Sequence, residues 1–310
     1  MAMELKQNFV FNPDKYYSPS YRISPFQTSD IAYNKLLPRA SGSPASFKKR
    51  FGEKDWVFTK SGKHAIALAL QALNLGREDN VTILTTSGNK YISGCVTREL
   101  EKVCRWSRTM QSNTAAIFVN HEFGYPYRNM KELKKYGVPI IEDACHSFFA
   151  DTENHEMNIN GDFILYSLPK SYPIQLGGVL AFETTYQVDS GIRRGSDIYE
   201  YLLKVIMHYE PQLDDIRAKR LGVYHGLTER FSDIGAMPFF EISEIDCPNV
   251  FMFSLEKEID LAKLRTYCWS HGIESSVFYG KKAFFIPAHN RLTLEDIDYF
   301  QYVVSRNIQD

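Results

Sequence analysis

VPIIEDACHS, residues 138–147, decides the fold class: an apolar run ends in two carboxylates, Glu142 and Asp143, and His146 follows three positions later. A strand without polar alternation is buried on both faces, as in a mostly parallel sheet covered by helices. Working outward, FILYSL (163–168) and GVLAFE (178–183) continue the pattern downstream, and DWVFT (55–59), VTILTT (81–86) and AAIFVN (115–120) precede it. Between them, KHAIALALQALNL (63–75) spaces Ile66, Leu70 and Leu73 as a helix does before Gly76 stops it, and MKELKKYG (130–137) is a shorter helix closed by Gly137. Strands alternating with helices predict an α/β fold with a mostly parallel sheet.

The flanking regions read differently. Residues 1 to about 55 are rich in Pro, Ser, Tyr and Asn and predict an arm with one helix. Asp197–Leu221 predicts a long helix broken near Pro211. Beyond it, short strand-like runs and helices predict a small α+β domain closed by a helix whose start carries Thr293 and Asp296 at capping-box spacing. The expected division is a large domain over 1–230 and a small one over 231–310.

The chain has 310 residues, 44% apolar and 24% charged, with a net charge of −1. Such a balance supplies no field for nucleic acid or an anionic membrane, so an anionic ligand must be held by local contacts. Candidates are Arg193 with Arg194, and Lys281 with Lys282. The five cysteines include no C-x-x-C pair, and no apolar stretch has membrane-spanning length, so a reducing cytoplasm is the expected location. Neither a P-loop nor G-x-G-x-x-G is present.

Three segments carry candidate chemistry. Asp143 stands at the carboxyl end of a buried strand, where open α/β sheets bind ligands, although an aspartate there also serves as a helix cap or an arginine partner. Lys170 follows the next apolar strand and precedes Gly177 and Gly178. A desolvated lysine there can form a Schiff base with a carbonyl compound; the ordinary alternative is a solvated loop lysine. Ser61 and Gly62 open a helix, where free amides bind phosphate, and Ser61 is equally suited to a plain N-cap. His121 and Glu122 are adjacent and face opposite ways, so they form no metal pair, and His271 and His289 stand alone; no metal site is expected.

In this order, SG-x-x-A, IEDA-x-H, and S-L-x-K followed by GG, the segments resemble the pyridoxal-phosphate-dependent sugar aminotransferases of the DegT/StrS type, of fold type I. NHEFGYP (120–126) and GIESSVFYG (272–280) are similar to further family segments. The resemblance implies pyridoxal phosphate as cofactor, with Lys170 as the lysine that carries its aldehyde and Asp143 as partner of its pyridine nitrogen. His146 and Tyr91 would lie against the ring, and Ser167 with the amides of Gly62, Lys63 and His64 would hold the phosphate. Amino-acid and nucleotide-sugar substrates and a homodimer are implied as well. The alternatives are a different pyridoxal reaction on the same fold, or a non-catalytic relative. Lys63 replaces the family's threonine, the Ser167-to-Lys170 spacing is short, and the family's Asn-rich interface stretch after residue 183 has no counterpart.

Overall fold

The computed structural model of the chain describes residues 19–150 and 160–309, so the first eighteen residues of the expected arm lie outside the described residues. Two helices, α1 (Ser29–Leu36) and α2 (Ala45–Phe51), form where one was expected. They are followed by β1 (Asp55–Thr59), α3 (Gly62–Ala72), β2 (Asn80–Thr85), α4 (Gly94–Leu100), β3 (Arg105–Ser107) and β4 (Thr114–Asn120). Then come α5 (Met130–Leu133), β5 (Ile140–Asp143), β6 (Phe163–Ser167), β7 (Gly178–Phe182) and α6 (Asp197–Tyr209). A single 3-10 turn carrying Pro211 separates α6 from α7 (Leu213–Ser232), the expected break, but α7 runs well past Leu221.

The seven strands form one sheet in the order β1-β7-β6-β5-β4-β2-β3. Pairings from β3 through β6 are parallel, and β7 is antiparallel to both β6 and β1. Alternation within the strands explains why both faces are apolar. Phe163, Leu165, Leu180 and Phe182 pack with α3 residues such as Ile66 and Leu70, whereas Ile164, Tyr166, Val179 and Ala181 pack with α6 residues such as Leu202 and Ile206. Ile141 belongs to the α3 face, so Asp143, two residues on, shares that face, and so does Ser167 by parity with Leu165. Glu142 takes the opposite one.

The described residues divide into two compact units: 24–150 and 160–221 with 241–249, and 19–23 with 222–240 and 250–309. The boundary thus falls within α7, earlier than the expected residue 230, and the segment 241–249 returns to the larger unit. The smaller unit contains β8 (Ala236–Pro238), β9 (Val250–Leu255), α8 (Leu261–Ser270), β10 (Ser276–Phe278), β11 (Ala283–Pro287) and α9 (Leu294–Gln309). Its strands form an antiparallel sheet, β10-β11-β9-β8, with Phe231, Phe251 and Phe253 in mutual ring contact. The capping box forms: Asp296 N–H donates to Thr293 Oγ1 at 3.2 Å and Thr293 N–H to Asp296 Oδ2 at 2.8 Å. Tyr21 bonds the backbone of Gly272 and Glu274, which ties residues near the amino terminus to this unit.

Gly178 pairs with Thr59 on one side and Ser167 on the other. A Cβ there would lie 2.6 Å from Thr59 Oγ1 and 2.6 Å from the Tyr166 carbonyl oxygen. Strand backbone cannot yield as a side-chain tip does. Gly178→Ala is therefore expected to destabilise the fold by about 2 kcal/mol, within the range for overpacked cores; an unchanged urea midpoint would contradict this packing.

Candidate active site

β7 brings two distant turns together without using a side chain. The Gly177 N–H donates to the Lys60 carbonyl at 3.1 Å, and the Leu168 N–H donates to the Gly177 carbonyl at 3.1 Å. The turn that opens α3 and the 3-10 turn Leu168–Lys170 therefore sit on the same short stretch of backbone. At the first turn, Ser61 is extended and its Oγ accepts the His64 N–H at 3.2 Å. The amides of Gly62 and Lys63 have no acceptor inside the helix and lie at its positive end. Gly62 is required by its neighbours: a Cβ would stand 2.9 Å from Cys145 Sγ and 3.4 Å from Ser167 Cβ. That close approach brings β5, β6 and the start of α3 to one point.

At the second turn, Lys170 Nζ lies 2.5 Å from His146 Nε2. Nδ1 of the same ring is out of contact with solvent and has no partner among the described residues. Removal of the ring from water, then the charges of Lys170 and Arg220, hold its pKa well below the usual histidine value of 6.5. His146 is thus a neutral ring whose Nε2 accepts from the lysine amine. Asp143 is buried at the end of β5, and its Oδ1 accepts the Cys145 N–H at 3.1 Å.

On the other face of β5, fully buried Glu142 lies 3.1 Å from His121 Nε2 and also accepts the Gly161 N–H. The Tyr127 N–H donates to His121 Nδ1 at 3.1 Å, so the histidine proton sits on Nε2 and points at the carboxylate. This pair braces the strand end that presents Asp143. Among the described residues, no group of three or more His, Cys, Asp or Glu side chains is placed to hold a metal.

The structure puts Lys170 on His146, Asp143 on the Cys145 amide, and Gly62 close to both Cys145 and Ser167. His64 departs from expectation, because its amide is taken by Ser61 Oγ and its Nδ1 accepts the Lys60 N–H at 3.1 Å. The cradle is thereby reduced to the Gly62 and Lys63 amides, with the Lys63 side chain in solvent. Tyr91 is half exposed in the loop before α4, whereas Phe123 is the aromatic seen against His146, at 5.3 Å between ring centroids. Of the basic pairs, Arg193 forks onto Asp189 at 2.5 and 2.6 Å and Lys282 meets Glu258 at 2.7 Å. Both are exposed pairs of small energetic worth, and each gives the cation a partner within the chain.

Sequence reading did not find Phe123, Arg220 or Asn249. Arg220 is 1% exposed and, with Asn249, bonds the backbone at Lys170. A signal existed: Ile216, Arg220, Val223 and Leu227 share one helical stripe, and an arginine among buried apolar positions is out of pattern.

The donor set fits pyridoxal phosphate. A primary amine for an aldehyde, a buried carboxylate for a pyridine nitrogen, and helix-start amides beside a serine hydroxyl for a phosphate converge here. The unpartnered Nδ1 of His146 and the side-chain-free cradle at Gly62 leave polar capacity for a ligand.

No protein-family model matches the chain, and no curated protein matches it by sequence. Solved structures match it by shape. The aminotransferase TlmJ from Streptoalloteichus hindustanus superposes with a TM-score of 0.72 at 12% identity, over 93% of this chain and 99% of that one. The GDP-4-keto-6-deoxy-D-mannose-3-dehydratase of E. coli with bound hydrated PLP gives 0.68 at 16% identity, over 93% and 100%. A DegT/DnrJ/EryC1/StrS aminotransferase from Brucella abortus gives 0.65 at 16% identity, over 91% and 94%. The chain has the fold of these enzymes, fold type I, as the sequence resemblance implied.

A depressed histidine pKa has a sign that can be tested. Below pH 6.5 the unfolded chain takes up a proton at residue 146 that the folded chain refuses, so stability falls as pH drops through that window and the effect vanishes above it. The slope from this one group approaches about 1.4 kcal/mol per pH unit. His146→Gln is expected to flatten the urea-midpoint profile between pH 5 and 7; equal profiles would show that the ring protonates freely in the fold.

Proposed function

We propose that this chain is a pyridoxal-phosphate-dependent aminotransferase that moves an amino group from an amino acid to a keto group of a nucleotide-linked sugar. The observation that carries the reading is the meeting of the Lys170 amine at 2.5 Å with His146, the histidine three residues past the buried Asp143, on a fold shared with aminotransferases, a DegT/DnrJ/EryC1/StrS member among them.

When bound, the cofactor supplies an electron sink for cleaving a C–H bond next to the transferred nitrogen. The chain's residues do the rest. Lys170 would hold the cofactor aldehyde, and its amine, when free, would remove and return the proton. His146, held neutral, accepts from that amine and does not compete for its proton. Asp143 would keep a proton on the pyridine nitrogen, and its bond to the Cys145 amide fixes its angle. The amides of Gly62 and Lys63, with Ser167, would take the phosphate.

By the family resemblance the donor is glutamate and the working unit is a homodimer, and the cysteine pattern places it in a reducing cytoplasm. The product serves surface polysaccharide or related amino-sugar formation. Nucleotide-sugar chemistry is supported by the dehydratase among the matched folds, whose substrate is a GDP-linked keto sugar by name.

Incubation with pyridoxal phosphate followed by borohydride is expected to place the label on Lys170; label confined to Lys60, Lys63 or Lys90 would overturn the assignment. Lys170→Ala removes a polar tip and no core packing, so it should fold normally while glutamate-dependent 2-oxoglutarate release, with a keto-sugar nucleotide as acceptor, drops by about three orders of magnitude or more. Asp143→Asn should keep labelling detectable yet suppress the same release by at least about a hundredfold. Glu142→Gln should instead lower stability, by about 1–3 kcal/mol, through the buried His121 and Gly161 contacts. Equal activity losses from the two carboxylate changes, with equal stabilities, would contradict the division of β5 into two faces.

A further inference from the structure

Arg220 is the largest side chain in the described structure that is fully buried, and it is a cation. Its Nη1 donates to Asn249 Oδ1 at 2.5 Å, and its Nη2 reaches the carbonyl oxygens of Lys170 and Ser171, both at 3.3 Å. The guanidinium carbon lies 4.7 Å above the Phe149 ring, and Nε has no partner among the described residues. None of the ion pairs seen among the described residues involves Arg220; among those residues its charge is met by peptide and amide dipoles and the face of Phe149. Burial depresses its pKa to about 10, which still leaves it charged at neutral pH.

Burying a cation without an anion is costly, and an apolar side chain of similar volume would pack the same space more cheaply. What an apolar side chain cannot do is hold the Lys170 carbonyl. Asn249 Nδ2 donates to that same oxygen at 2.6 Å, and the Asn249 N–H is itself fixed on the Phe123 carbonyl at 3.0 Å. One residue earlier, Ser24 Oγ donates to the Pro169 carbonyl. Three successive carbonyls, of Pro169, Lys170 and Ser171, are therefore gripped by side chains brought from residues 24, 220 and 249. Adjacent strands and the turn itself would not have fixed them, since these residues lie beyond the end of β6.

We infer that Arg220 and Asn249 are positioning residues that clamp the main chain of Lys170, so that its amine is delivered to His146 and to a carbonyl ligand at one angle. The inference rests on the reading of Lys170 as the reactive lysine. A planar fork is needed because two carbonyls and one amide oxygen must be reached at once; a lysine at 220 would supply the charge and only a point of contact.

Arg220→Lys, Arg220→Gln and Asn249→Ala test the clamp in the full chain, each checked for folding by circular dichroism and a cooperative urea transition. The first readout needs no cofactor: acetic anhydride labels amines, and mass spectrometry follows acetylation of Lys170 across pH relative to the exposed Lys48 and Lys90. The second is the yield of borohydride-trapped pyridoxal phosphate at Lys170. In the folded variants, Lys170 acetylation is expected to depart from the wild-type profile while Lys48 and Lys90 keep theirs. Trapping at Lys170 should fall at least about tenfold, the scale of one lost charge-assisted hydrogen bond. Arg220→Lys should restore little of it. Wild-type acetylation and trapping at Lys170 in a folded Asn249→Ala or Arg220→Lys chain would overturn the clamp. If Arg220 variants fail to fold, Asn249→Ala decides alone. If the wild-type chain traps the cofactor elsewhere, the reactive-lysine reading fails, and the acetylation profiles still decide whether the clamp exists.

Discussion

The site depends on one backbone approach, the passage of Gly177 and Gly178 between β1 and β6. The hydrogen bonds there run from Gly177 to Lys60 and from Leu168 to Gly177, and Gly178 stands between Thr59 and Ser167. With any side chain at 178 the strands would have to part by several tenths of an ångström. The α3 amides, fixed to β1, would then move away from Ser167 and the Lys170 turn, fixed to β6. The antiparallel β7 is thus the reason that residues 60 to 62 and 167 to 170, more than a hundred positions apart, work as one surface.

The charges collected around that surface are lopsided. Lys170 and Arg220 both act on His146, and the buried carboxylate three residues before it is Asp143. Glu142, the other carboxylate of the same strand, is turned to the far face and satisfied by His121 and Gly161. A cluster with two cations, one carboxylate and two open amides favours an anionic ligand, and it does so locally although the whole chain carries a net charge of only −1. Local geometry here outweighs the global field.

Which parts of this were readable from sequence follows from the range of the interactions. Six strands of the large sheet announce themselves as apolar runs, because burial on both faces is a local requirement. β3, Arg105–Ser107, is short and carries Arg and Ser at a sheet edge, so no run marks it. Of the two helices α1 and α2, one was expected and the second is hidden among Pro, Ser and Tyr, whose composition suggests a loop while its packing does not. Asp143, Lys170 and Gly62 could be singled out as candidates because strand ends and helix starts are local features and their order resembles a family's. His64 was assigned a free amide that Ser61 takes, a matter of which cap bond forms. Arg220 and Asn249 come from 50 and 79 residues after Lys170, and Phe123 holds φ 55 in a turn; each acquires its role only when the chain is folded.

Adjacent Cys145 and His146 invite a different chemistry, a thiolate nucleophile with a histidine base, and physical considerations decide against it. Such a pair works by passing the thiol proton to the imidazole, giving thiolate and imidazolium. Here burial, then the charge of Asp143, pushes the Cys145 thiol well above its usual value, so the thiolate is disfavoured. Burial and two neighbouring cations push His146 well below its own, so the imidazolium is disfavoured as well. Both shifts oppose the transfer, and the thiol is spent on packing against Gly62 at the cradle. The His146 nitrogen that a thiol would need already faces the Lys170 amine. An environment that suppresses the ion pair and presents an amine to a neutral acceptor suits the carbonyl-amine chemistry proposed for Lys170 better than thiol chemistry.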